Sequence, residues 1–265
     1  MSAQEQADRI RDQVRQRYAG IVRQREADCC DSSACCSDSA SPAVEHAQRL
    51  GYSAEEACCV PDGANLSLGC GNPIAIASLQ PGEVVLDLGS GAGFDCFLAA
   101  RAVGETGHVI GVDMTPEMIT RARENAAKSG YGYVEFRLGE IEHLPVADGQ
   151  VDLIMSNCVI NLSPDKRAVF AEAYRALKPG GRLAIADTVA TAPLPEEVRA
   201  DMAYWSACIS GSAVMAELEE MLSDAGFEQI SIRPIDESRE LISEWAPNSR
   251  AEDYIVSATI MAVKP

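Results

Sequence analysis

The sequence predicts an α/β fold, a parallel sheet with right-handed helical crossovers, and three observations predict it. Short buried-type apolar runs alternate with helical stretches: EVVLDL (83–88), HVIGVD (108–113), VEFRL (134–138), VDLIMS (151–156) and RLAIAD (182–187). The first run ends in a glycine-rich turn, Gly89-Ser90-Gly91-Ala92-Gly93, which leads straight into the apolar helix FDCFLAARAV. The second run ends on an acid, Asp113. Thr115-Pro116 then opens the next helix with an N-cap residue and a proline at the first helical position.

The flanks read differently. From about residue 3 to 26, Ile10, Val14, Tyr18 and Ile21 recur at helical spacing among charges, which predicts an amphipathic N-terminal helix. The stretch DCCDSSACCSDSASP (28–42) is small and polar and reads as a loop; a short helix over Pro42 to Leu50 follows. LKPGG (177–181) supplies a helix stop and a turn. Beyond Leu194 come two helices and the strands ISIRP and YIVSATIMAV. The expected organisation is an N-terminal helix and Cys-rich extension (1–75), a nucleotide-type domain (76–190) and a cap with the final strands (191–265).

Composition narrows the partners. The 265 residues are 47% hydrophobic and 23% charged, as in a protein with a packed core, and carry a formal net charge of −18. So acidic a surface repels phosphate backbones and anionic lipid, which argues against nucleic acid and membrane partners. No stretch approaches the roughly 20 apolar residues of a membrane span, and no signal-type apolar run opens the chain. A cytoplasmic location is expected. There the ten cysteines are not a disulfide framework, and metalloid, metal or redox chemistry comes forward. Three adjacent pairs stand out: Cys29-Cys30, Cys35-Cys36 and Cys58-Cys59.

A glycine-rich turn after the first strand with an acid closing the second is the general nucleotide-binding plan. Asp87 selects among ligands. It sits immediately before the turn, where a pyrophosphate would meet a carboxylate at close range and be repelled. An ammonium and a sulfonium would be attracted, which favours S-adenosylmethionine over a dinucleotide. Gly89, Ser90 and Gly91 let the backbone approach the methionyl portion, and Asp113 is placed to accept from both ribose hydroxyls.

The motifs carry a resemblance. DLGSGAGFD (87–95) resembles the first motif of class I methyltransferases, and GVDMTPEMI (111–119) resembles the second motif of arsenite methyltransferases. LGEIEHLP (138–145), SNCVINLSPDK (156–166), RALKPGGRLAIAD (175–187), LGCGNP (68–73) and YWSACISGSA (204–213) are similar to that family's other blocks, so the likeness runs from about Tyr18 onward. It implies a Rossmann-like, seven-stranded, mostly parallel sheet whose last strand is antiparallel. It also implies adenine near Glu140, Ile141 and Glu142, with Met114 and Asn157 lining the same site. S-adenosylmethionine would be the methyl donor, with no tightly bound metal. The Cys-rich C-terminal extension that some family members carry is not expected here. Leu68 stands where the animal members of the family have a tyrosine.

Cys70, Cys158 and Cys208 lie far apart in sequence and form no local zinc motif. Each can nonetheless reach one edge. Cys158 follows the fourth strand's carboxyl end, where open α/β sheets bind ligands. Cys70 lies in a turn-prone segment before the first strand, and Cys208 beside Gly211 in the cap. Three thiolates around a trivalent metalloid make a pyramidal site with a lone pair on its open side, and that lone pair is a nucleophile. The expected substrates are arsenite and methylarsenite, with glutathione or thioredoxin as reductant. The resemblance adds a fourth thiol from the N-terminal loop, Cys35 or Cys36. Cys29-Cys30 and Cys58-Cys59 are outside the family pattern, and Cys96 reads as a small buried hydrophobe. His46, His108 and His143 show no metal spacing. Tyr204 and Trp205 either shield the metalloid or pack the cap. Two rival readings are a methyltransferase of a quinone-like organic acceptor and a thiol protein that binds metalloid without turnover. Structural zinc on the N-terminal pairs is a third.

Overall fold

The computed structural model describes residues 2–28, 42–245 and 250–265, so the Cys29-Cys30 and Cys35-Cys36 pairs lie outside the described residues. Helix α1 (Ala3–Asp28) is followed by α2 (Pro42–Arg49), α3 (Ala54–Cys58) and α4 (Ile74–Ala77). Alternation then begins: β1 (Val84–Leu88), α5 (Phe94–Val103), β2 (His108–Asp113), α6 (Pro116–Ser129), β3 (Val134–Leu138) and β4 (Val151–Asn157). After a 3-10 turn at Ile160–Leu162 come α7 (Lys166–Ala176) and β5 (Leu177–Ala190). The cap holds α8 (Glu196–Ala200), α9 (Met202–Trp205) and α10 (Met215–Asp224). The chain closes with β6 (Glu228–Ile235), α11 (Arg239–Trp245) and β7 (Ile255–Val263).

The strands form one seven-stranded sheet in the order β3-β2-β1-β4-β5-β7-β6. β1 to β5 pair in parallel, and β7 runs antiparallel to both β5 and β6. The central strands are apolar on both faces because helices cover both, as a parallel sheet requires. Leu86, Ile110 and Ile154 enter one core layer, while Val85, Val109 and Leu153 enter the other. Strand order reverses between β1 and β4, so the crevice at their carboxyl ends is the switch point at which such sheets bind ligands.

Three details depart from the sequence expectations. β5 begins at Leu177, so LKPGG ends a helix but continues as an irregular strand. Gly180 donates to the Lys264 carbonyl and Lys264 to that of Gly181, which ties this stretch to the chain's last strand. Helix α11 falls between the two final strands, where buried Leu241 and Ile242 anchor it. On α1, Val22 rather than Ile21 is fully buried, because the inward stripe follows the i+4 row Ile10, Val14, Tyr18, Val22. That helix packs on α6, on α9 and on the 3-10 turn, and so lies across the switch-point crevice.

The glycine turn is held from both sides. The Gly89 and Ser90 amides donate to the Val112 carbonyl, and the buried Asn125 amide donates to that of Ala92. Gly93 has φ +99°, and a Cβ there would lie 2.7 Å from Phe97 and 2.8 Å from Phe136. Gly93→Ala is therefore expected to destabilise the fold by about 2 kcal/mol or more in urea unfolding. A midpoint equal to that of the wild type would contradict this packing.

Candidate active site

The crevice contains a cavity formed by the carboxyl ends of β1, β2 and β4 and covered by α1. Nine residues expected to hold a cofactor line it: Asp87, Gly89, Ser90, Gly91, Asp113, Met114, Ile141, Glu142 and Asn157. Glu140 does not. Its side chain lies 3.5 Å from Arg11 and 3.4 Å from Arg15, at the edge of the α1 cover. Leu68, at the animal tyrosine position, also lines the cavity, as does Tyr18 from α1.

Asp113 accepts from the Gly91 amide (3.0 Å) through Oδ2 and from the Thr115 amide (2.8 Å) through Oδ1. Each oxygen keeps a lone pair for an incoming hydroxyl. Gly89 has φ +70°, and a Cβ on it would meet Val159 at 2.5 Å, so the turn closes only without a side chain.

The floor of the cavity is acidic. Asp87 is 2% exposed; its Oδ2 accepts from the Cys96 thiol at 3.2 Å, and its Oδ1 has no partner. Asp95 accepts from the Tyr52 hydroxyl (2.6 Å) and from the Asn157 amide (3.1 Å). Burial pushes Asp95 up to about 6, and burial with the neighbouring Asp95 pushes Asp87 well above the usual carboxylate range. Burial raises Asp113 as well. A cavity floored by buried carboxyl groups, one of them with a carboxylate oxygen that has no partner, matches a ligand that brings a positive charge. The ammonium and sulfonium of S-adenosylmethionine meet that requirement, and the glycine turn leaves room for its backbone-like portion.

Beside this cavity the fold brings together the three distant cysteines. Cys70 precedes α4, Cys158 follows β4 and Cys208 follows α9; all are buried. The three cysteines belong to one buried cluster. Sulfurs of Cys70 and Cys158 and an oxygen of Asp187 all lie within 4.8 Å of one another. Cys208 Sγ donates to the Cys158 carbonyl at 3.1 Å. Cys158 (φ +57°) and Cys208 (φ +60°) both adopt the left-handed region, at about 1–2 kcal/mol each for a residue with a Cβ.

The surroundings are apolar. Ile10, Val14 and Leu162 share the thiol cluster, with Tyr18, Met114, Trp205 and Trp245 packed on it. Burial pushes Cys70 up to about 11. For Cys158, the hydrogen bond with Cys208 lowers the pKa, but the Cys70 contact and burial outweigh it, so that thiol is pushed well up. The Cys158 contact and burial raise Cys208 likewise. At neutral pH the cluster is three neutral thiols, suited to a neutral, thiol-exchanging ligand.

Asn157 joins the two halves. Its Nδ2 donates to the Tyr52 hydroxyl, the Gly71 carbonyl and Asp95, while its Oδ1 accepts from the Cys70 amide at 3.0 Å. Cys158, the next residue, is the member of the thiol cluster that also lines the cofactor cavity.

The remaining expectations resolve individually. Cys35 and Cys36 fall outside the described residues. Cys58 is exposed and Cys59 half-buried, away from the cluster. Cys96 is the buried small hydrophobe expected and also serves Asp87. Trp205 packs on the thiols, whereas Tyr204 belongs to the cap core. His108 pairs with Glu135 at 3.0 Å, and His46 lines the cavity wall. Sequence reading missed Asp95, Tyr52, Arg11 and Asp187. Asp95 had a signal, closing the motif that Asp87 opens; Tyr52 had none.

The fold and this cavity define a class I methyltransferase, and a methyltransferase-domain family profile matches residues 79–226. The arsenite methyltransferase of Halobacterium salinarum is 53% identical over all of this chain, which spans 69% of that protein. The human arsenite methyltransferase is 36% identical over 80% of the chain, which spans 56% of its length. A solved structure, an arsenic(III) S-adenosylmethionine methyltransferase from Chlamydomonas reinhardtii, superposes with a TM-score of 0.60 at 33% identity, covering 84% of this chain and 73% of that one. The chain belongs to the arsenite methyltransferase family.

Two outcomes follow from the acidic floor. Asp87→Asn is expected to weaken S-adenosylhomocysteine binding by about tenfold or more in calorimetry, since it removes a carboxyl that can ionise to pair with the ligand's ammonium. Wild-type affinity for the same ligand is expected to rise between about pH 5 and 7. Asp95, held at about 6, must lose its proton to face a cation, so binding releases a proton and strengthens as pH rises. Asp95→Asn should flatten that slope, and an unchanged slope would place the titrating group elsewhere.

Proposed function

We propose that this protein transfers a methyl group from S-adenosylmethionine to trivalent arsenic held by Cys70, Cys158 and Cys208, with arsenite and methylarsenite as substrates and detoxification as the role. One observation carries the reading: thiols from three distant segments converge in a buried cluster that meets a carboxylate-floored cofactor cavity at Cys158. The proposed division of labour follows the three segments, with 1–75 covering, 76–190 holding the donor and 191–265 bringing Cys208.

Asp87 and Asp95 hold the donor's ammonium, and Asp113 its ribose hydroxyls. Ile141 and Glu142 flank the adenine, and Arg11, 3.2 Å from Glu142, closes that side. Glu140 acts through the α1 cover rather than on the ring. S-adenosylmethionine supplies a methyl on a sulfonium, which needs neither a metal nor a general base to be attacked.

The chain presents the nucleophile. Each neutral thiol exchanges with an arsenic hydroxyl: an S–H and an As–O bond break, an As–S bond forms, and water leaves with the proton. The acidic surface offers no barrier to neutral arsenite. Three sulfurs hold arsenic as a pyramid whose lone pair lies opposite them, and alignment of that lone pair is the main catalytic contribution, about 7–11 kcal/mol in favourable systems. Alkylation takes arsenic from the trivalent to the pentavalent state. Two thiols then return the electron pair and leave as a disulfide, which glutathione or thioredoxin reduces. Cys35 or Cys36 is proposed to supply the fourth thiol. Methylarsenite has two exchangeable positions, so Cys158 and Cys208 suffice for it. The cytoplasm supplies both the donor and the reductant.

The test is incubation with S-adenosylmethionine, a thiol and either arsenical, followed by chromatography with elemental detection. Cys158→Ser and Cys208→Ser are each expected to lower turnover of both arsenicals by about 100-fold or more, whereas Cys70→Ser spares methylarsenite. Wild-type protein that binds the donor yet yields no methylated arsenic would leave a methyltransferase of some other acceptor.

A further inference from the structure

Two left-handed cysteines do not hold themselves, and the residues that hold them are buried polar groups with no role in the cofactor cavity. Asp187, at the end of β5, accepts through Oδ2 from the amides of Ile160 (2.9 Å) and Asn161 (3.4 Å), which open the turn just past Cys158. Its Oδ1 accepts from the Asn161 side-chain amide at 2.9 Å and from the Thr188 backbone at 2.8 Å. The same Asn161 amide donates to Thr188 Oγ1 at 2.9 Å. Thr188 Oγ1 in turn donates to the carbonyl of Cys208 at 2.8 Å. Ser212 Oγ lies 2.9 Å from that carbonyl and 2.8 Å from Thr188 Oγ1. At Gly211 the approach is backbone to backbone: a Cβ there would lie 1.9 Å from the Asn161 carbonyl. Beside the Cys208 thiol's own bond to the Cys158 carbonyl, the hydroxyl of Thr188 and the side-chain amide of Asn161 thus link the cap turn to the strand loop. Thr188 and Asn161 are almost wholly buried, so no water replaces either partner.

Resting on the arsenic reading above, we propose that Thr188, with Asn161 and Ser212, is a positioning device that sets the separation of the Cys158 and Cys208 thiols for one arsenic atom. None of the three lines the cofactor cavity, so their effect is confined to the arsenic side. Arsenic imposes a fixed angle between its sulfur ligands. Loss of the link that orients the Cys208 carbonyl lets that turn leave its strained conformation and carries the thiol out of register with its partner.

Phenylarsine oxide is the probe, because its arsenic takes two thiols and no third. Two S–H bonds and the As–O bond break, two As–S bonds form, and one water leaves. The chain's two tryptophans, Trp205 and Trp245, both pack on the thiol cluster, so intrinsic fluorescence reports its occupancy. Thr188→Val, which keeps the shape and removes the hydroxyl, is expected to weaken phenylarsine oxide binding and to lower kcat for methylarsenite, each by about tenfold. S-adenosylhomocysteine affinity should stay within about twofold, and Thr188→Ser should restore both losses. Probe binding by Thr188→Val as tight as the wild type, or a Thr188→Ser variant as impaired as the valine, overturns the proposal. Should the valine variant not fold, Ser212→Ala is expected to show the same arsenic-side loss with normal cofactor affinity, and wild-type probe binding there overturns the proposal equally. Wild-type protein that fails to take the probe overturns the arsenic site itself, an outcome distinct from a defect missing only in the variants.

Discussion

Asn157 ends β4 where the strand order reverses, and its carboxamide is shared by two sites. One end satisfies Asp95 and Tyr52 under the cofactor cavity, while the other fixes the amide of Cys70. The chain then turns left-handed at Cys158, whose side chain joins Cys70 and Cys208 in one buried cluster while the residue still lines the cavity. A single strand end therefore sets the distance between the donor's place and the acceptor's. Neither site can shift without disturbing the hydrogen bonds of this one carboxamide.

The two compartments differ in charge, and the difference sorts their ligands. The cavity floor gathers Asp87, Asp95 and Asp113, each raised by burial, so it favours a positively charged molecule. The thiol cluster next to it is apolar and neutral, suited to an uncharged hydroxide of a soft element. Helix α1 covers both at once: Ile10 and Val14 lie against the thiols, and Arg11 reaches Glu142 on the cavity side. Tyr18 sits between, its phenol raised by burial and by the Cys208 and Cys158 thiols on one side and Asp113 on the other.

Much of this was legible in the sequence because it rests on local pattern. Alternating strands and helices specify a parallel sheet, and a glycine turn flanked by Asp87 and Asp113 specifies the place and charge of the cavity. The convergence of Cys70, Cys158 and Cys208 was legible because strand ends in such sheets share one edge. What stayed hidden depends on contacts between distant segments. Nothing near Tyr52 announces a hydrogen bond to Asp95. The sequence around Asn161, Thr188 and Ser212 shows only ordinary polar residues until the fold buries them together. Glu140 sits in the right motif yet turns to Arg11 and Arg15, because α1 lies where its side chain points.

The central claim is that one arsenic atom is held by sulfurs from three separate parts of the chain. X-ray absorption at the arsenic edge, on the protein loaded with arsenite and S-adenosylhomocysteine, counts those neighbours directly. The account predicts three sulfurs and no oxygen in the wild type, and two sulfurs with one oxygen in Cys70→Ser. An arsenic bound through oxygen, or a sulfur count unchanged by losing Cys70, would contradict it.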